Sequence, residues 1–84
     1  MENFIRARKI MYTYLYSRFV ANNGPWCSIR ELEELDGNSR YMKSAMMFAC
    51  DMGHVITRCS GSIRLNGFGI QYVEDEYSEG KHGY

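Results

Sequence analysis

Residues 28–73 read SIRELEELDGNSRYMKSAMMFACDMGHVITRCSGSIRLNGFGIQYV, and the order of elements in this stretch decides the fold. Ser28 is placed as an N-cap, with Glu31 three residues on completing a capping box. Ile29, Leu32 and Leu35 then form the apolar stripe of a short helix. Asp36-Gly37-Asn38 is turn chemistry, after which Asn38 or Ser39 caps a helix running to Met52, and Gly53 supplies the left-handed residue that closes it. In that helix Met42, Ala45, Met46 and Ala49 share one face, while Arg40, Lys43, Ser44, Met47 and Asp51 fall on the opposite one. His54 to Cys59 is rich in β-branched residues and is bounded by Ser60-Gly61-Ser62, the pattern of a strand and turn. Ile63 to Leu65 and Phe68 to Val73 return as the second strand, with Asn66-Gly67 as a bend, bulge or second turn. The tip of this 54–73 hairpin is either Ser60 to Ser62 or Asn66-Gly67.

Before this stretch, Asn3 to about Ala21 contains neither Gly nor Pro and reads as one helix of roughly five turns. Arg6, Lys9, Thr13 and Ser17 form its polar face, and Phe4, Met11, Leu15 and Phe19 line the opposite side. Tyr12 and Tyr16 flank the stripe on one shoulder, Ile10, Tyr14 and Ala21 on the other. Arg8 and Arg18 interrupt it, so their heads must reach solvent or find partners. Asn22-Asn23-Gly24-Pro25 ends the helix, and Trp26-Cys27 can form a brief extended piece, an extra short strand. The expected architecture is α+β, three helices followed by a β-hairpin, as one domain over residues 1–73. Residues 74–84 are acidic and nearly free of aliphatic side chains, and are expected to form a flexible tail.

With 45% hydrophobic and 24% charged residues, the chain has the composition of an ordinary globular domain. No apolar run approaches the ~20 residues that span a bilayer, and no small-residue cleavage site follows the N-terminal cations, so no membrane association and a cytoplasmic location are expected. Cys27, Cys50 and Cys59 cannot all pair and make no CxxC spacing, which fits a reducing compartment and mostly buried thiols. Net charge is zero but segregated. Arg6, Arg8, Lys9 and Arg18 make the first helix positive; Glu31, Glu33, Glu34 and Asp36 make the second negative; Arg40, Lys43, Arg58 and Arg64 make the third helix and hairpin positive; and Glu74, Asp75, Glu76 and Glu79 make the tail negative.

The second positive block carries the functional reading. A helix fits the major groove of B-DNA, and a bracing helix before it leaves its outward face to meet base edges. Arg40 suits bidentate contact with guanine or phosphate, Lys43 is a point charge, and Asn38, Ser39 and Ser44 are short hydrogen-bonding groups on the same flank as Met47. Tyr41 is placed to touch sugar or a thymine methyl. In the hairpin Arg58 and Arg64 flank a small polar tip containing Ser60 and Ser62, suited to backbone or minor-groove contact. The span from Ser28 to Val73 resembles the winged helix-turn-helix superfamily, with Ile29-Arg-Glu-Leu32 in the usual second-helix place and Met42, Met46, Ala49 and Gly53 at third-helix spacing. His54 departs from that pattern, where an aliphatic residue commonly follows the glycine. The resemblance implies a small regulator of the kind found among phages, plasmids and bacteria: a sequence-specific double-stranded DNA-binding protein acting in transcription regulation.

Other constellations are weaker. Winged helices also bind proteins, and the acidic helix with the tyrosine-rich first helix would suit an inhibitor or adaptor of a protein partner. Cys50, His54 and Cys59, with Cys27, match no familiar zinc spacing, so no metal and no cofactor are expected. Seven tyrosines are many for 84 residues, and Tyr12, Tyr14 and Tyr16 cannot all enter one core. With Ile5 they are expected to form a homodimer interface, which would set two reading helices ~34 Å apart on DNA. No phosphate loop, HExxH or nucleophile elbow is present, so no enzymatic activity is expected.

Overall fold

A computed structural model describes residues 2–21, 24–35 and 39–77. In chain order the elements are α1 (Glu2–Ala21), β1 (Cys27–Ser28), α2 (Ile29–Leu35), α3 (Ser39–Asp51), β2 (Val55–Arg58), β3 (Ser62–Leu65) and α4 (Gly67–Glu76). The chain is thus a small α+β fold in which four helices accompany a three-stranded antiparallel sheet of order β1-β3-β2. The expected turn at Asp36-Gly37-Asn38, and the segment beyond Tyr77, lie outside the described residues.

The core forms where helical and strand periodicities meet. From α1 come Ala7, Met11, Tyr12 and Leu15; from α2 Leu32; and from α3 the expected stripe of Met42, Ala45, Met46 and Ala49. Cys27, Ile63 and Leu65 close it from the sheet, because alternation along β3 turns Ile63 and Leu65 inward and Ser62 and Arg64 outward. Of the expected core residues, Phe4 and Ile29 are only half-buried, and Phe19 and Leu35, each near the end of its helix, are 44% and 39% exposed.

Arg8 finds partners, as its place in the apolar stripe demands. Its guanidinium lies 3.8 Å from the Phe48 ring centroid and donates to the Tyr72 hydroxyl at 3.0 Å. Arg18 donates to the Trp26 carbonyl at 2.8 Å and approaches the Glu31 carboxylate at 4.0 Å. Glu31 also accepts a hydrogen bond from the Tyr14 hydroxyl, so it joins α2 to α1. The first amide of α2, on Ile29, donates to the Gly61 carbonyl at 2.9 Å and ties the hairpin turn to that helix.

Helix α3 closes as its sequence requires. Gly53 adopts φ +72°, its N–H donates to the Cys50 carbonyl at 3.1 Å, and the His54 N–H reaches back to Ala49 at 2.9 Å. The tip of the hairpin is settled by a turn in which the Gly61 N–H donates to the Arg58 carbonyl at 3.0 Å. Cys59 therefore sits in the turn and not in the strand, and the hairpin ends at Leu65.

The segment Phe68 to Val73, expected as a returning strand, is instead part of a fourth helix. Asn66 caps α4 with extended backbone, its side chain accepting from the Gly69 N–H at 2.9 Å. Its amide nitrogen Nδ2 donates to the Gly53 carbonyl at 2.7 Å, and its backbone N–H to the His54 carbonyl at 3.0 Å. One residue thus starts α4 and fastens it to the α3–β2 junction. Gly69 is needed for the close approach, since a Cβ there would overlap the His54 carbonyl oxygen. Val73 is buried, and the helix continues through Glu74, Asp75 and Glu76, three residues beyond the expected domain boundary at Val73.

Candidate nucleic-acid interface

The face of α3 opposite its core stripe is exposed along its length. Arg40, Lys43, Ser44, Met47 and Asp51 all lie in solvent, Met47 being 67% accessible despite its apolar side chain. Ser44 Oγ donates to the Arg40 carbonyl at 3.2 Å, and the Arg40 guanidinium lies 5.7 Å from the Tyr41 ring centroid. Tyr41 is half-buried and packs against the core, at the edge of the face and not within it. Ser39 begins the helix, and Asn38 lies outside the described residues.

The hairpin places its two cations together. Arg58 is exposed and Arg64 half-buried, both on the outer face of the sheet; Ser60 is exposed in the turn and Ser62 half-buried beside it. Trp26, which periodicity did not single out, packs against both arginines: the Arg58 guanidinium lies 3.7 Å from its ring centroid and that of Arg64 5.4 Å. Its nearness to Arg64 depends on strand register, which the linear sequence does not display.

The acidic groups are partly drawn away from the cations. Glu31 is held by Tyr14 and Arg18, and Glu74 accepts from the Tyr16 hydroxyl at 3.1 Å on the other side of α1. These contacts raise both tyrosine pKa values, for Tyr14 chiefly through the Glu31 hydrogen bond and for Tyr16 through desolvation and then Glu74. Glu33 is closer to the hairpin, lining a shallow recess with Ser28, Arg30, Ser60 and Gly61.

Between α3 and the sheet runs a second, largely apolar groove of about 320 Å³, walled by Met46, Met47, Cys50, Ile29 and Ile63, with Lys43 at its margin. Cys50 and Cys59 are exposed, contrary to the expectation of mostly buried thiols; the helix face and the turn that carry them are both solvent-facing. Cys27 is buried, and desolvation followed by the nearby Glu31 pushes its thiol up to about 11, leaving it protonated at neutral pH. Among the described residues no three His, Cys, Asp or Glu side chains converge on a common point. No helix among them is long and apolar enough to cross a membrane.

The expected self-association surface is divided by the fold. Ile5 is 55% exposed, but Tyr12 is fully buried and is not available to a partner; Tyr14 and Tyr16 are half-buried, with their hydroxyls on Glu31 and Glu74. Tyr12 is turned inward by a polar contact that spacing did not reveal, a 2.7 Å hydrogen bond between its hydroxyl and Nδ1 of buried His54. Burial lowers the His54 pKa and raises that of Tyr12, so both groups are neutral at neutral pH, and the hydrogen bond joins a phenol to an uncharged imidazole. His54 also stacks on Tyr72 at 4.5 Å between centroids. Comparisons of the chain with family models, with curated proteins and with solved structures find no match.

Proposed function

We propose that this chain is a winged helix-turn-helix protein that binds double-stranded DNA in a sequence-specific manner and regulates transcription. The observation that carries the reading is the exposed face of α3, with Arg40, Lys43 and Ser44 in solvent, next to a hairpin whose outer face holds Arg58 and Arg64. The order of elements supports it: α2 and α3 lie between β1 and a β2–β3 hairpin, and β1 pairs with β3, an arrangement suited to presenting one helix and one hairpin together. In this reading Arg40, Lys43 and Ser44 meet base edges in the major groove, while the hairpin arginines hold phosphate. A homodimer in the cytoplasm would pair two such faces, using Ile5 and the exposed Phe19 and Val20 of α1.

Selection of bound sequences from random duplex DNA at physiological salt tests this. A palindromic consensus is the expected result, with affinity falling by orders of magnitude between roughly 50 and 200 mM salt as counterions are released, roughly 0.9 per phosphate contact. Absence of duplex binding at low salt would remove the reading.

The apolar groove favours a second reading, a protein-binding winged helix acting as an inhibitor or adaptor. Met46, Met47 and Ile63 offer a surface that an apolar segment of a partner would fill. Capture of a specific protein that Met47→Asp abolishes, with no duplex retardation, would favour it.

A further inference from the structure

Trp26 has no part in the reading above, yet the sheet brings it to the two hairpin arginines. Cys27 pairs with Ile63 in the β1–β3 ladder, so the preceding residue falls beside Arg64, on the face away from the core. Arg58 pairs with Ser62 and Ile56 with Arg64, which puts Arg58 on that same face. The backbone of Trp26 is fixed from the helical side, where Arg18 donates to its carbonyl at 2.8 Å. One anchored indole therefore holds two guanidiniums.

Two like charges over one ring repel each other, and the π face of the indole offsets only part of that repulsion. Among the described residues no carboxylate pairs with Arg58 or Arg64. A single anion set between the two heads would accept from both forks and cancel the repulsion. The Ser62 and Ser28 hydroxyls belong to residues paired with each other on this face and can donate to the same oxygens. Guanidinium forks match the spacing of phosphate oxygens, and the hairpin that carries them borders α3 across the apolar groove.

We infer that Arg58, Trp26 and Arg64 form a clamp for a phosphodiester of the DNA backbone, with Trp26 as the positioning residue that aligns the two guanidiniums. The inference rests on the duplex-binding reading, and it assigns to Trp26 a role in affinity and none in base choice.

Trp26 is the chain's single tryptophan, so its emission reports this site alone. The test titrates the full-length chain with a selected duplex, reading affinity, salt dependence and tryptophan emission together. Duplex is expected to change the emission of the wild type. Trp26→Leu is expected to weaken binding about tenfold on selected and unrelated duplexes alike and to lower the salt slope by roughly one to two counterions, while Trp26→Phe restores most of both. The double variant Arg58→Gln, Arg64→Gln keeps the indole and should bind duplex without the emission change, which tests the clamp even if Trp26→Leu does not fold. Intact binding and an unchanged slope in Trp26→Leu would overturn the clamp while leaving DNA binding standing. Failure of the wild type to bind any duplex would overturn the reading on which it rests. The same emission change produced by micromolar inorganic phosphate alone would assign the site to a free anion and overturn the backbone assignment.

Discussion

Arg8 and Arg58 make nearly the same contact in opposite settings. Each lays its guanidinium over an aromatic ring, Arg8 at 3.8 Å from Phe48 and Arg58 at 3.7 Å from Trp26. Arg8 belongs to a closed network: it donates to Tyr72, whose ring stacks on His54, which in turn bonds Tyr12, and all of these groups pack between α1, α3 and α4. Arg58 is on an exposed strand beside a second arginine, with no carboxylate paired to it among the described residues. The first arrangement uses a guanidinium hydrogen bond and an aromatic contact inside the fold, with Arg8 Nε buried and unpartnered; the second holds its guanidinium on an exposed strand. Charge and residue type are the same in both, so the difference in role comes from where each head lies, half-buried among packed helices or exposed on the outer face of the sheet.

The contrast is broken most severely where α4 meets the interior network. Gly69→Ala should cost about 3 kcal/mol, because its methyl would meet the His54 backbone carbonyl, which can yield only if the helix moves. Urea denaturation is expected to show a lowered midpoint, and an unchanged midpoint would mean that α4 is not seated as described. On the exterior, Arg40→Ala should leave that midpoint nearly unchanged but weaken duplex binding by roughly 1 to 3 kcal/mol, with preference altered at one base. Arg64→Ala should weaken all sequences alike, and equal sequence-blind losses from both substitutions would refute the division between base and backbone contacts.

A smaller interior effect sharpens the comparison. Tyr12→Phe removes the partner of His54 Nδ1 while keeping the ring, and should cost about 1 to 2 kcal/mol in the same denaturation experiment. The network also predicts a pH dependence. Burial holds the folded-state pKa of His54 below its ordinary value, so the folded chain binds fewer protons than the unfolded one. The stability due to neutral His54 is complete above about pH 6.5 and is lost as pH falls through the lowered folded value. His54→Gln should flatten that dependence in denaturation midpoints measured between about pH 7 and 5. On the outer face of the sheet the expected stability effect is small: Arg58→Met should change unfolding free energy by less than about 1 kcal/mol.

Legibility follows from how local each cause is. The core stripe of α3 was readable at Met42, Ala45, Met46 and Ala49 because helical periodicity alone sorts the two faces, and the same periodicity placed Arg40, Lys43 and Ser44 outside. Residues 66–73 misled because Asn66-Gly67 is a common hairpin turn and Phe, Ile, Tyr and Val favour strands, while two glycines oppose a helix. Tertiary contacts overrode these preferences: Asn66 bonds the Gly53 and His54 carbonyls, and Gly69 fits against His54 only because it lacks a side chain. Helical spacing sets Tyr12 toward an outer surface for the same reason, since its partner His54 is 42 positions away. The contact of Trp26 with the hairpin arginines is not legible in the sequence, because strand register, and not spacing, sets it beside Arg64.

The sequence by itself determined the order of the first three helices and the hairpin, and the two-sided character of α3, since capping and periodicity act over a few neighbouring positions. Only the tertiary structure decided that residues 67–76 coil into a helix, that Tyr12 and His54 pair in the interior, and that Trp26 joins two arginines. Those outcomes depend on groups distant along the chain satisfying one another's hydrogen bonds, charge and shape, and such satisfaction exists only once the backbone has brought them together.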